Sequence, residues 1–137
     1  MILAIDIGNT NIVLGCIDEE KVCFIERISS DKTKMELEYA VDIKMVLDIH
    51  GIRRENVEGA IISSVVPQLT KILKAASEKI IKKEPIIVGP GVKNGMNILI
   101  ENPGQMGSDL VADAVAAIAG YSVPLVIFDL GTATTVC

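Results

Sequence analysis

Aromatic residues, long apolar runs, paired cysteines and basic clusters are all scarce in this 137-residue chain, and each shortage closes off a class of function. Only 3% of its residues are aromatic, and 13 basic residues stand against 18 acidic ones for a net charge of −5. No lysine and arginine cluster interleaves with aromatics, so the phosphate-neutralising, base-stacking surface of a nucleic-acid binder is missing and no nucleic-acid partner is expected. No apolar run approaches the roughly 20 residues that cross a bilayer, and the N-terminus lacks the basic region and cleavage site of a signal peptide. A cytoplasmic protein without a membrane partner is the expectation. Cys16, Cys23 and Cys137 are odd in number and lack C-x-x-C spacing, which argues against a disulfide framework or a zinc site. They read as small apolar residues. The single histidine, His50, has no Cys, Asp or Ser partner identifiable in the sequence and reads as a structural residue satisfying a helix-terminal carbonyl.

What the chain does have is apolar content, at half of all residues, enough for one globular domain with a proper core. Ile2 to Ile7, Ile12 to Ile17 and Val22 to Ile28 are short Ile- and Val-rich runs separated by turn residues, and predict a meander of three strands. A helix should follow, opened by a Thr33–Glu36 capping box, lined by Leu37, Ala40, Ile43 and Leu47, and closed at His50-Gly51. Val57 to Ser63 reads as a buried strand. Pro67 suits the first turn of a second helix, whose stripe of Leu69, Ile72, Leu73, Ala76 and Ile80 reads as core packing. Pro85 to Val88 reads as another strand, and Gly89 to Asn97 as a glycine-rich loop in which Lys93 is an ordinary exposed lysine. A third helix begins near Ser108 and runs through Val111, Ala114, Val115 and Ile118.

Two stretches stand apart from this packing grammar. In "IDIGNTN", Ile5 to Asn11, an apolar strand ends in an aspartate, a glycine and small polar residues, and "FDLGTATT", Phe128 to Thr135, repeats the pattern. A lone Asp-x-Gly is common in tight hairpins. The pair suggests a duplicated unit whose two loops face each other across a cleft, presenting N–H groups and hydroxyls to a polyphosphate while the carboxylates orient a hydrated metal. Gly8 would let phosphate approach the backbone. Asp109, beside Ser108 at the expected start of the third helix, has two readings: it complements the helix dipole beneath a Ser108 cap, or it accepts a proton from an attacking hydroxyl.

The element order, with its DxGNTN and DxGTATT loops, resembles the acetate kinase, sugar kinase, Hsp70 and actin superfamily. More closely, "IDIGNTN", "ISSVVP", "NPGQMGSD" and "FDLGTATT" resemble the type III pantothenate kinase family, in the right order and over essentially the whole chain. The resemblance implies an α/β fold: a ribonuclease H-like domain with a mixed five-stranded sheet and helices, the first copy of a duplicated actin-like ATPase architecture. It places residues 1–122 in that first domain and residues 123–137 in the opening strand and phosphate loop of a truncated second one. It implies ATP-dependent phosphorylation of pantothenate to 4′-phosphopantothenate, the first step of coenzyme A synthesis, in a homodimer with a shared active site.

Residue by residue, the resemblance assigns Asp6, Ile7, Gly8, Asn9, Thr10, Asn11, Ile12 and Val13 to a first ATP-phosphate loop and Gly131 and Thr132 to a second. Asp6 would hold Mg²⁺, directly or through water, and Asp129 a monovalent cation, K⁺ or NH₄⁺. Asp109 matches the family's catalytic base, and Gly107, Ser108, Asp109 and Leu110 its acceptor site. Leu110 stands where the family carries arginine, and Ile100 where it commonly carries tyrosine, so two polar groups are missing from the expected pantothenate pocket. Two other readings follow from these departures: a diverged nucleotide-binding paralogue acting as a regulator, or a phosphotransferase with another acceptor. The isolated 137 residues are expected to be inactive.

Overall fold

Strict alternation of side chains along the first strands decides which face becomes core. The computed structural model describes residues 1–89, 92–99, 102, 106–131 and 133–137. In β1 (Ile2–Ile7), Leu3, Ile5 and Ile7 are fully buried on one face, while Ala4 and Asp6 take the other. β2 (Asn11–Asp18) repeats the division, with Ile12, Leu14 and Cys16 buried and Val13, Gly15 and Ile17 opposite. β3 (Lys21–Ser29) completes the antiparallel meander, with a register shift between Cys16 and Ile17.

The chain then crosses over to build the other half of the sheet in parallel. α1 (Glu36–Ile49) leads to β4 (Gly59–Ser64), which pairs parallel with β1, and α2 (Pro67–Ile81) leads to β5 (Ile86–Ile87), which pairs parallel with β4. The order is β3-β2-β1-β4-β5. This is the expected ribonuclease H-like mixed sheet of five strands. Tyr39, Ala40, Ile43 and Leu47 of α1 and Leu69, Leu73 and Ala76 of α2 join the inward face of the sheet in one core. Each leucine and isoleucine among them contributes about 1.5–3 kcal/mol on burial. Ser77 is buried among them with its hydroxyl donating to Leu73 O at 2.7 Å, so the helix absorbs the polar group.

Several local expectations need correction. Thr33 does not cap α1, because its N–H and hydroxyl both donate to the Asp31 carboxylate, at 2.8 and 2.6 Å. The cap lies two residues on, where the Glu38 carboxylate accepts from the Met35 N–H at 2.7 Å. Leu37 is 64% exposed, and Tyr39 fills the first inward position. Val57 is buried but closes a 3₁₀ turn, Arg54–Asn56, rather than starting a strand. His50 does not satisfy a carbonyl through its ring: the imidazole stacks on Phe24 at 4.4 Å, and Nε2 lies 2.9 Å from Glu26 Oε1.

The remaining elements lie toward the other face. α3 (Ser108–Gly120) contacts β4, and of its expected stripe Val111 is buried while Ile118 is 52% exposed. β6 (Phe128–Leu130) and β7 (Thr134–Val136) form an antiparallel hairpin separate from the five-stranded sheet. Among the described residues no helix is long and apolar enough to cross a membrane.

Candidate functional site

The site grows from the turn between β1 and β2. Gly8 N–H donates to Asn11 O at 2.9 Å, and a Cβ at Gly8 would stand 3.0 Å from that same oxygen, so any larger residue would force the turn to give by a few tenths of an ångström. The turn is pinned from the β3 side: Ser30 donates through Oγ to Gly8 O at 2.6 Å and through N–H to Thr10 O at 2.9 Å. The next residue is anchored in turn. Tyr39, buried in the core, accepts from Asp31 N–H at 2.9 Å and donates to Asp31 O at 2.8 Å. Carbonyls of the turn are thereby occupied, while Asn9 and Thr10 stay exposed.

Asp6 sits beneath this turn on the face that carries no core. It pairs in register with Val13 on one side and Ser63 on the other. Partial burial pushes its carboxyl above the ordinary value of 3.8; the Ser63 hydroxyl opposes the shift, and the negative charges of Asp109, Asp113 and Asp129 add to it.

α3 supplies Asp109. Its Oδ1 accepts from Leu110 N–H at 2.8 Å, and glycine at position 107 leaves room where a Cβ would collide with the carboxylate. Ser108 is not a cap. Its hydroxyl donates to Ser64 O at 2.9 Å and accepts from Ser64 N–H at 3.0 Å, tying the first turn of α3 to the end of β4.

These parts meet around one cleft. A cavity of about 580 Å³ is lined by Asp6, Gly8, Asn9, Thr10, Asn11 and Val13 from the first loop, by Asp109, and by Asp129, Leu130 and Gly131 from the β6–β7 hairpin. A second cavity of about 420 Å³ opens beside it over the apolar sheet face of Ala4, Val13, Gly15, Ile17 and Ile61, and shares Asp6, Asp109 and Asp129 with the first. The two Asp-x-Gly loops do face each other.

Other expected site residues lie elsewhere. Ile7 and Ile12 turn their side chains into the core and offer the cleft only backbone. Gly107, Ser108 and Leu110 are absent from the described lining of both cavities, as is the exposed Lys93. Leu110 follows Asp109 by about 100° around the helix, which turns it away from the carboxylate's direction. Thr132 and Ile100 lie outside the described residues.

Sequence reasoning missed three contributors. Asp113 lies one turn beyond Asp109 and lines the apolar cavity; burial, then Asp129 and Asp109, push its carboxyl upward. The i, i+4 spacing of two aspartates in "DLVAD" was the available signal. Arg27 and Ser63 reach the site through strand register, which no local pattern announces.

The donor set suits hard cations. Among the described residues no group of three His, Cys, Asp or Glu side chains comes close enough to hold a metal alone. Mg²⁺ needs no such cage, since it commonly takes one or two carboxylates and completes its shell with water and substrate phosphates. Around Gly131, the position a Cβ would occupy lies 3.5 Å from Ala133 O and 3.8 Å from Asp129 Oδ2, so carboxylate and carbonyl oxygens gather there. Thr135 Oγ1, in the same wall, is buried without a hydrogen-bond partner among the described residues, a hydroxyl that a ligand in the cleft would satisfy.

Comparison with known proteins gives this geometry a context. The family described as type III pantothenate kinase matches residues 2–137. A type III pantothenate kinase of Exiguobacterium sp. is 49% identical over 137 residues, covering 100% of this chain and 54% of the relative. One from Bacillus cytotoxicus is 46% identical, again over 100% of this chain and 52% of its own length. The chain thus spans about half the length of the curated relatives it matches.

Proposed function

Because the chain belongs to the type III pantothenate kinase family, we propose that its cleft is the nucleotide side of an enzyme that transfers a phosphoryl group from ATP to pantothenate, giving 4′-phosphopantothenate for coenzyme A synthesis. The observation that carries this reading is the convergence of both Asp-x-Gly loops and Asp109 on one cavity. Phosphoryl transfer asks little covalent chemistry of the protein and much positioning. The Gly8–Asn11 turn, held by Ser30, offers a rigid edge with exposed Asn9 and Thr10 for phosphate oxygens. Gly131 serves the same purpose from the opposite wall.

Asp109 accepts the proton of the acceptor hydroxyl, and its place at the start of α3, fixed by the Ser108–Ser64 bonds, aims it at the cleft. Asp6 would hold Mg²⁺ and Asp129 a monovalent cation; bound there, these ions supply neutralisation of the charge that develops on the phosphates. Residues 123–137, which carry the β6–β7 hairpin, open a second domain that closes the cleft. The working protein is a cytoplasmic homodimer. Leu110 leaves the acceptor's carboxylate without the family's arginine, which identifies pantothenate use as the step to test.

The test is to incubate the natural polypeptide that carries these residues with Mg·ATP and a panel of hydroxylated acceptors, and to follow ADP release and the phosphorylated product by mass. Pantothenate should be the acceptor turned over. ADP release with another acceptor alone, or nucleotide binding with no transfer to any, would reject the reading.

A further inference from the structure

The larger cavity brings three carboxylates, Asp6, Asp109 and Asp129, to a cleft meant for a polyanion, and its described lining contains one cationic side chain, Arg27. We propose that Arg27 grips the polyphosphate of the nucleotide, a role that rests on the kinase reading above and deepens it.

Strand register puts Arg27 in place. Arg27 pairs with Val13, Val13 with Asp6, and Asp6 with Ser63, so the four form one row across β3, β2, β1 and β4 on the face opposite the core. Adjacent strands lie about 4.8 Å apart, so the Arg27 backbone stands roughly 10 Å from that of Asp6. Arg27 forms no ion pair with Asp6 among the described residues, and lines the same cavity as the Gly8 turn. Its neighbour along β3, Glu26, points to the other face, where it meets His50. Arg27 is exposed and enters none of the ion pairs formed among the described residues.

Chemistry selects the ligand. A planar guanidinium with five fixed donors matches the paired oxygens of a phosphate, and beside three carboxylates it supplies the attraction that a polyphosphate needs before any metal arrives with it. The acceptor's carboxylate is the other anion available. The polyphosphate is favoured because the wall that carries Arg27 is the wall of the phosphate loop, Gly8 to Asn11.

The decisive experiment titrates ATP, ADP and adenosine against the natural polypeptide and its Arg27→Gln and Arg27→Lys variants, without acceptor, and then measures KM for ATP and for pantothenate. Arg27→Gln should weaken ATP and ADP by about 10- to 100-fold and leave adenosine unchanged, with Arg27→Lys in between. The exposed position should keep the melting temperature of both variants near the parent's. Equal ATP binding by Arg27→Gln and the parent would overturn the proposal, as would a rise confined to the KM for pantothenate. A parent that binds no ATP would instead refute the kinase reading itself.

Discussion

Replacing Asp6 with asparagine should separate function from stability and move them in opposite directions. In the folded protein this carboxyl is partly desolvated and shares its surroundings with Asp109, Asp113 and Asp129, so its charged form is disfavoured relative to the unfolded chain. An acid whose folded pKa is raised strengthens the fold when protonated, and that contribution is lost as pH rises through the folded value. At pH 7 the ionised Asp6 therefore weighs against folding. Asparagine stays neutral at all pH.

Asp6→Asn should hence melt at or above the parent's temperature at neutral pH. The difference should shrink as the solution is acidified toward the ordinary value of 3.8, where the parent's own carboxyl becomes protonated. Nucleotide use should suffer meanwhile. Losing one charge-assisted contact to hydrated Mg·ATP costs about 1.5–3 kcal/mol, or roughly 10- to 100-fold in affinity. Thermal melts from acid to neutral pH, paired with Mg·ATP titrations, measure both arms. A variant that melts lower at pH 7 yet binds Mg·ATP like the parent would show Asp6 to be structural and refute the reasoning.

Asp109→Asn should retain Mg·ATP affinity and lose about 10²- to 10⁴-fold in turnover, the range of a missing general base; unchanged turnover would return Asp109 to the helix dipole. Ser108→Ala strips two hydrogen bonds from Ser64 and should cost about 1–3 kcal/mol in a denaturant melt, with turnover falling more than nucleotide affinity because α3 aims Asp109. Equal effects on both would mean that Ser108 only supports the fold. Tyr39→Phe leaves both backbone groups of Asp31 without their phenolic partner and should cost a similar amount, raising the KM for ATP through the loosened Ser30 anchor; a melt unchanged from the parent would refute that anchoring.

The fold was legible where the period of two was clean. Ile2 to Ile7 and Ile12 to Ile17 announced their strands because alternate residues face a single apolar layer, and Pro67 announced α2 because the first turn of a helix loses nothing by its missing N–H. Boundaries failed where a polar side chain had two possible partners, as Thr33 did: it chose the Asp31 carboxylate over a helix end. The paired Asp-x-Gly loops were legible as a repeated pattern, and their meeting in one cleft followed. Arg27 and Ser63 were not, since their placement depends on which residue of a neighbouring strand each one meets.

The parity of the first two strands has an evolutionary consequence. Leu3, Ile5 and Ile7 answer to the packing of α1 and α2, whereas Ala4 and Asp6 answer to the cleft, and Ile12, Leu14 and Cys16 divide from Val13, Gly15 and Ile17 in the same way. Selection on the cleft and selection on folding therefore act on interleaved positions of one backbone and seldom compete for the same side chain. A complete substitution scan of residues 2–17 would read as two superimposed records, with abundance responding to one parity and turnover to the other. Strand pairing is what keeps the two records apart, because a slip of one residue would send every core side chain to the cleft and the aspartate to the core.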